Sequence, residues 1–196
     1  MCPQLDKWTA AQPPGRETLA ILPPDPRSIR LRQELERWFL ELRDPVFGYL
    51  RSVGCRRSLA EEIVQEAFLR LHQARYDGLQ VNDVRAWVFR VARNLWIDSR
   101  REGRRYGTTG PDEQNWLDLA QSDPAPDPEQ QVLQRERFRL IAAEISRLPQ
   151  LQRECVQLKA QGLRYHEIAA VLGIPMTAAV DAVRQAVKRI GRRFSS

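Results

Sequence analysis

Only two histidines, His72 and His166, occur in the 196 residues, and each stands alone in an otherwise helical stretch. No nucleophile, base and orienting group can be assembled around either, which argues against an enzyme. The three cysteines, Cys2, Cys55 and Cys155, are odd in number, far apart and without CxxC spacing. That excludes a disulfide framework and a Cys/His metal site, and it suits unpaired thiols in a reducing cytoplasm. There is no glycine-rich loop of the kind that cradles phosphates, and no cofactor is expected. No apolar run approaches the length a bilayer requires, and the N-terminus lacks a basic start followed by an apolar core, so no membrane insertion is expected. Nor does any alternating apolar run flanked by turn signals read as a strand.

What is present is charge, unevenly spread. The formal net charge is +6, with 42% apolar residues, enough for ordinary cores. Residues 27–106 hold 17 Lys/Arg against 11 Asp/Glu, and residues 128–196 hold 12 against 6. Between them, 107–127 contains five acids and no base. Two basic blocks flanking an acidic linker favour a polyanionic partner. Residues 1–26 carry Pro3, Pro13, Pro14, Pro23, Pro24 and Pro26 and read as an extended or disordered arm, because proline removes amide donors and stops helices.

Elsewhere the periodicity is helical, so the fold class is all-α: two small helical domains joined by an acidic flexible linker. In Leu59–Ala74, Ala60, Ile63, Val64, Ala67, Phe68 and Leu71 share one face, opposite Glu61, Glu62, Gln65, Glu66 and Arg70. In Val84–Arg101, Val84, Val88, Val91 and Leu95 form the expected inner stripe, widened by Trp87 and Ala92, with Arg90, Arg93, Arg100 and Arg101 facing away. Phe89 and Trp96 share another flank, where they can stack on an unpaired base or pack on a neighbouring helix; packing is the preferred reading. Asn82 or Asp83 serves as N-cap. A helix over Leu35–Val53 supplies Trp38, Phe39, Leu42, Val46 and Leu50 to the same core.

The second block predicts helices at Glu129–Ser146, Gln150–Ala160, Tyr165–Leu172 and Thr177–Phe194, with Gly162 and Gly173 just past helix ends. Short helix, tight turn and longer helix make a helix-turn-helix. Ala179, Ala182, Val183, Ala186, Val187 and Ile190 are expected to face inward, leaving Thr177, Val180, Asp181, Arg184, Gln185, Lys188 and Arg189 outward. Arg184 can donate two hydrogen bonds to guanine, Val180 can pack on a thymine methyl and Asp181 can accept from cytosine. Asp181 also suits a helix N-terminus without any DNA, and beside phosphates it repels. Binding is therefore expected to rest on Arg164, Arg184, Lys188, Arg192 and Arg193 at the phosphates, with unusual base discrimination. An ordinary three-helix packing unit accounts for the same pattern.

"LAEEIVQEAFLRLHQA", "DVRAWVFRVARNLWIDSRR" and "LPQLQRECVQLKAQGLRYHEIAAVLGIP" occur in this order, across the acidic linker. Over residues 35–194 the chain resembles a bacterial RNA polymerase sigma factor of the extracytoplasmic-function (ECF) group. The resemblance implies domains at 27–106 and 128–196, equivalent to sigma regions 2 and 4. It implies that Glu62, Gln65 and Glu66 grip core RNA polymerase, and that Asn94 and Asp98 line a pocket for a base flipped from the −10 element. Arg90, Arg93, Arg100 and Arg101 then supply phosphate contacts there, with Arg85 also available. Arg164, Thr177, Val180, Asp181, Arg184 and Lys188 meet the −35 element. The partners so implied are core polymerase, promoter DNA and a cognate anti-sigma protein, and the place is the cytoplasm, at the nucleoid when in holoenzyme. Family members commonly carry small polar and basic residues where this chain has Val180, Asp181 and Ala182.

Two alternatives compete. A helix-turn-helix regulator acting without polymerase shares the second block, but it has no use for the first. A decoy that occupies polymerase or an anti-sigma protein without selecting promoters fits the unusual reading face.

Overall fold

The computed structural model describes residues 26–105, 136 and 140–194. Its helices are α1 (Pro26–Ser52), α2 (Arg57–Tyr76) and α3 (Val84–Arg105), then α4 (Gln150–Ala160), α5 (Tyr165–Leu172) and α6 (Met176–Phe194). A further helical run over 140–146 leads toward α4, and among the described residues there is no strand. The acidic linker 107–127, Cys2 and most of the expected helix 129–146 lie outside the described residues, as does the arm apart from its last residue. The arm was expected to end at residue 26, yet α1 begins there, nine residues ahead of Leu35. Proline suits a first helical position, since its missing amide has no partner there in any case.

The α1–α3 group forms as its periodicity requires. Ala60, Ile63, Val64, Ala67, Phe68 and Leu71 of α2 are all buried, and so are Leu42, Val46 and Leu50 of α1. Phe39 and Phe68 meet edge to face, 5.0 Å between ring centroids. The α1–α2 turn uses Gly54 at φ 91°, which only glycine adopts freely, and the buried Arg51 donates to the Cys55 carbonyl at 2.8 Å. Asp83, not Asn82, caps α3: its Oδ1 accepts from the Ala86 amide at 2.9 Å.

In the α4–α6 group, Gly162 and Gly173 take φ values of 82° and 68°, as expected of residues ending helices. The Ile174 amide donates to the Ala169 carbonyl at 3.1 Å, and the chain direction then turns by 106° into α6. Ala179, Ala182, Val183 and Ala186 are buried, but Val187 is not, being 60% exposed. At 19 residues α6 outruns α4 and α5, at 11 and 8, and so part of its expected apolar face has nothing to cover it.

The two groups share one continuous core, with α3 packed on α5 and α1 on α4. This changes the reading of α3. Val88 and Ala92 are fully buried as expected, but Phe89 is equally inaccessible and Trp96 nearly so, whereas Val84, Trp87, Val91 and Leu95 are only half-buried. One domain alone needs one apolar stripe on α3. Here α1 and α2 cover one flank and α5 another, so Phe89 and Trp96 pack and are unavailable for stacking on a base.

Each such side chain contributes roughly 1.5–3 kcal/mol by leaving water. Phe89→Ala is accordingly expected to destabilise the chain by about 3–5 kcal/mol, the transfer loss plus the cavity left behind. Urea unfolding followed by circular dichroism measures it.

Candidate functional site

Three separate faces carry the residues singled out by sequence. On α2, Glu62 and Gln65 are exposed and make no side-chain hydrogen bond or ion pair to the described residues, while half-buried Glu66 accepts from Arg70 Nε at 2.8 Å. Solvated carboxylates spaced along one helix face suit pairing with arginines across an interface and setting its orientation. Beside them lies an apolar ledge that sequence reasoning passed over: Leu40 is 79% exposed and Leu69 64%. Leu69 stands three residues after Glu66 and four after Gln65, on the polar face itself. That break in the amphipathic pattern was the available signal.

On α3, Arg90 and Asn94 are exposed and make no side-chain bond to the described residues. Asp98 faces Arg101 at 3.5 Å, and Arg100 lies over the Trp96 ring, 5.7 Å from its centroid. Trp96 thus holds an arginine from beneath. The expectation that Arg93 faces away to solvent is corrected. Its guanidinium is 2.8 Å from Glu154 of α4, and the two side chains are only 21% and 15% exposed. Arg85 is likewise engaged, 3.6 Å from Glu41 and donating to the Gln161 carbonyl at 3.4 Å.

On α6 and its approach, Arg164, Thr177, Arg184, Gln185, Lys188 and Arg189 are exposed, and Val180 and Asp181 are half-exposed. Arg184 Nη2 donates to Asp181 at 2.6 Å. This is an exposed pair one helical turn apart, worth about 0–1 kcal/mol, so the guanidinium is easily drawn to a better acceptor. Gln185 accepts from the mostly buried Gln152 at 2.9 Å, which ties the outer face to α4.

The cleft between α3 and α5 gathers Asp83, His166 and Glu167, with one donor atom from each within 4.8 Å of the others. Asp83 and Glu167 each already commit one carboxylate oxygen to a helix start, accepting from the Ala86 and Arg164 amides. Arg75, Arg85 and Arg164 line the same cleft. The arrangement serves the seam between helix groups, and a cation there meets arginines on several sides. At the Arg93–Glu154 pair, the buried Tyr49 is pushed well above the usual tyrosine range by burial and by Glu154, partly offset by Arg93.

Residues 38–106 match sigma-70 region 2 and residues 138–190 match sigma-70 region 4, which together define an RNA polymerase sigma factor. An ECF RNA polymerase sigma factor, RpoE of Cereibacter sphaeroides, is 31% identical over 153 residues, covering 76% of this chain and 80% of that protein. The sigma factor CnrH of Cupriavidus metallidurans is 32% identical over 146 residues, covering 72% and 73%. The chain therefore belongs to the ECF group of RNA polymerase sigma factors, proteins that bind core polymerase and direct promoter-specific transcription and are not themselves enzymes. The fold agrees with solved sigma factors. CnrH in complex with the cytosolic domain of CnrY superposes with a TM-score of 0.55 at 21% identity, covering 84% of this chain and 89% of that one. RpoE with the anti-sigma factor NepR from Bartonella quintana gives 0.57 at 20%, covering 84% and 98%. Among the described residues no single helix is long and apolar enough to cross a membrane.

Cys55 and Cys155 lie fully inside the core as free thiols. Burial pushes Cys55 up to about 12 and, with Glu154 adding to it, Cys155 up to about 11. Both stay protonated in the folded chain at neutral pH, which makes them poor nucleophiles and poor metal ligands. Unfolding lets them ionise near their ordinary value, so their contribution to stability is complete below about pH 9 and is lost as pH rises toward 12. Thiol titration with a disulfide reagent at pH 8 is expected to show both unreactive until denaturant is added, and urea midpoints are expected to fall between pH 9 and 11.

Proposed function

We propose that residues 27–106 form the polymerase-docking and −10 module and residues 128–196 the −35 module, with 107–127 between them. Glu62, Gln65 and Glu66 grip core polymerase, and the Leu40–Leu69 ledge adds apolar contact beside them. Asn94 and Asp98 receive an unstacked base of the −10 element through its Watson–Crick edge, while Arg90, Arg93, Arg100 and Arg101 hold the phosphates. Arg164, Thr177, Val180, Asp181, Arg184 and Lys188 meet −35 duplex. A cognate anti-sigma protein regulates the chain; the solved complexes with CnrY and NepR, formed by proteins of the same fold, support that partner.

The observation that carries this reading is the exposure of Glu62, Gln65, Arg90 and Asn94 even though the two helix groups share a core. Run-off transcription with purified core polymerase on a pre-melted template tests it: initiation depends on this chain. Glu66→Arg is expected to lower affinity for core polymerase at least tenfold with an unchanged circular dichroism spectrum. Unaltered affinity means that the α2 face is misassigned, and tight core binding without initiation means a decoy.

At the −35 face Arg184 is the natural guanine reader, and Asp181 opposes the phosphates. Arg184→Ala is expected to flatten discrimination at one base pair, a difference of about 1–3 kcal/mol. Asp181→Asn is expected to tighten binding across all sequences. Fluorescence anisotropy with a panel of duplexes, at fixed salt, separates the two effects.

A further inference from the structure

We propose that Gln152, a buried side chain of α4, sets which bases α6 accepts: it fixes the Gln185 amide with its N–H groups outward, so that this position takes guanine or thymine and disfavours adenine. The inference rests on the reading, given above, that α6 meets −35 duplex, and it adds to that face one residue and the class of base it takes.

Gln185 belongs to the outward face of α6. It is exposed, directly follows Arg184, and lies one turn beyond Asp181 and one turn before Lys188 and Arg189. A free glutamine amide both donates and accepts, which is why glutamine ordinarily pairs with adenine, donating to N7 and accepting from N6. Here half of that pairing is already taken. Gln185 Oε1 accepts from Gln152 Nε2 at 2.9 Å, and the Gln185 NH2 group makes no side-chain bond to the described residues. A group that only donates matches the major-groove edge of guanine, whose N7 and O6 both accept, and the O4 of thymine. Against adenine it reaches N7 alone and meets the N6 amino group beside it, and cytosine offers nothing but its N4 donor.

Gln152 is placed to enforce this. It is 8% exposed and stands three residues before the fully buried Cys155, on the inward face of α4. An apolar side chain of similar size suits that place better, because Gln152 Oε1 is buried with no hydrogen-bond partner, which costs stability. What glutamine adds there is a donor, and the donor goes to Gln185. Burial also fixes the direction of the pair. Turning both amides over leaves the whole Gln152 NH2 group without an acceptor where the bare oxygen now sits, and orphaned buried donors are rarer in folded proteins than under-satisfied carbonyl oxygens. Both residues belong to the α4–α6 group, and the packing of α4 on α6 holds them together. Gln185 is thus the reader and Gln152 a positioning residue.

Holoenzyme assembled from the full chain and core polymerase is tested on templates with a pre-melted −10 region and a randomised −35 segment, a barcode in each run-off transcript reporting base preference. At the position whose preference Gln185→Ala flattens, the unsubstituted chain is expected to favour guanine or thymine over adenine. Gln152→Leu and Gln152→Met fill the buried site without a donor and free the Gln185 amide to turn. Each is expected to shift the guanine-to-adenine ratio at that position toward adenine by roughly fivefold or more, with other positions unchanged. In a Gln185→Ala background neither is expected to move any ratio. An unaltered ratio in both Gln152 variants, or the same shift when residue 185 is alanine, overturns the positioning role. Adenine favoured by the unsubstituted chain overturns the direction of the pair. A loss in Gln185→Ala spread evenly over all templates puts this side chain at a phosphate and overturns base reading. Transcription indifferent to every base of the segment, with Arg184→Ala also silent, overturns the −35 reading itself and the inference with it.

Discussion

One helix has to satisfy two kinds of neighbour, and most of the structure follows from that constraint. α3 buries Val88, Phe89, Ala92 and Trp96 against helices on more than one side, yet it keeps Arg90, Asn94, Asp98, Arg100 and Arg101 at the surface. An α-helix has a circumference of 3.6 residues, so two packing flanks leave only a narrow polar strip. The residues proposed to meet DNA occupy that strip, while Arg93, at its edge, falls under α4. On the proposed reading, in which α3 meets the −10 element, rigidity matters because a flipped base is held only by groups already in place. Packing supplies the rigidity and takes away part of the surface.

Charge is distributed in keeping with these contacts. The basic side chains of α3 that face the seam are each answered by a group across it, Arg93 by Glu154 and Arg85 by the Gln161 carbonyl. On the open strip, among the described residues, Arg101 is held by Asp98 within a turn and Arg100 by the Trp96 ring, interactions weak enough to be exchanged for phosphates. On α2 the pattern inverts, and acids face outward beside the exposed Leu40 and Leu69. A surface that combines carboxylates with apolar side chains suits a basic, partly apolar protein partner better than a nucleic acid. The chain's net positive charge therefore conceals two opposed surfaces.

Much of the site was legible because helical periodicity separates inward from outward positions without reference to any partner. Glu62, Gln65, Asn94 and Arg184 are exposed for that reason. Glu154 escaped notice, since a single acid in an otherwise unremarkable helix gives no local sign that it will be buried against an arginine 61 positions earlier. Leu69 was signalled and passed over. Val187 was misplaced because periodicity says which way a residue points and nothing about where the neighbouring helices stop.

The sequence by itself determined the all-α class, the two basic helix groups, the glycine turns at Gly162 and Gly173, and the polar faces of α2, α3 and α6. All of these depend on backbone preference and on spacing within a few residues, which are properties of the local chain. Only the tertiary structure decided that the groups close on one another, that Phe89 and Trp96 are core, and that Arg93 is paired rather than free. Those outcomes depend on which surfaces meet across more than fifty residues of chain, and no local pattern encodes that meeting.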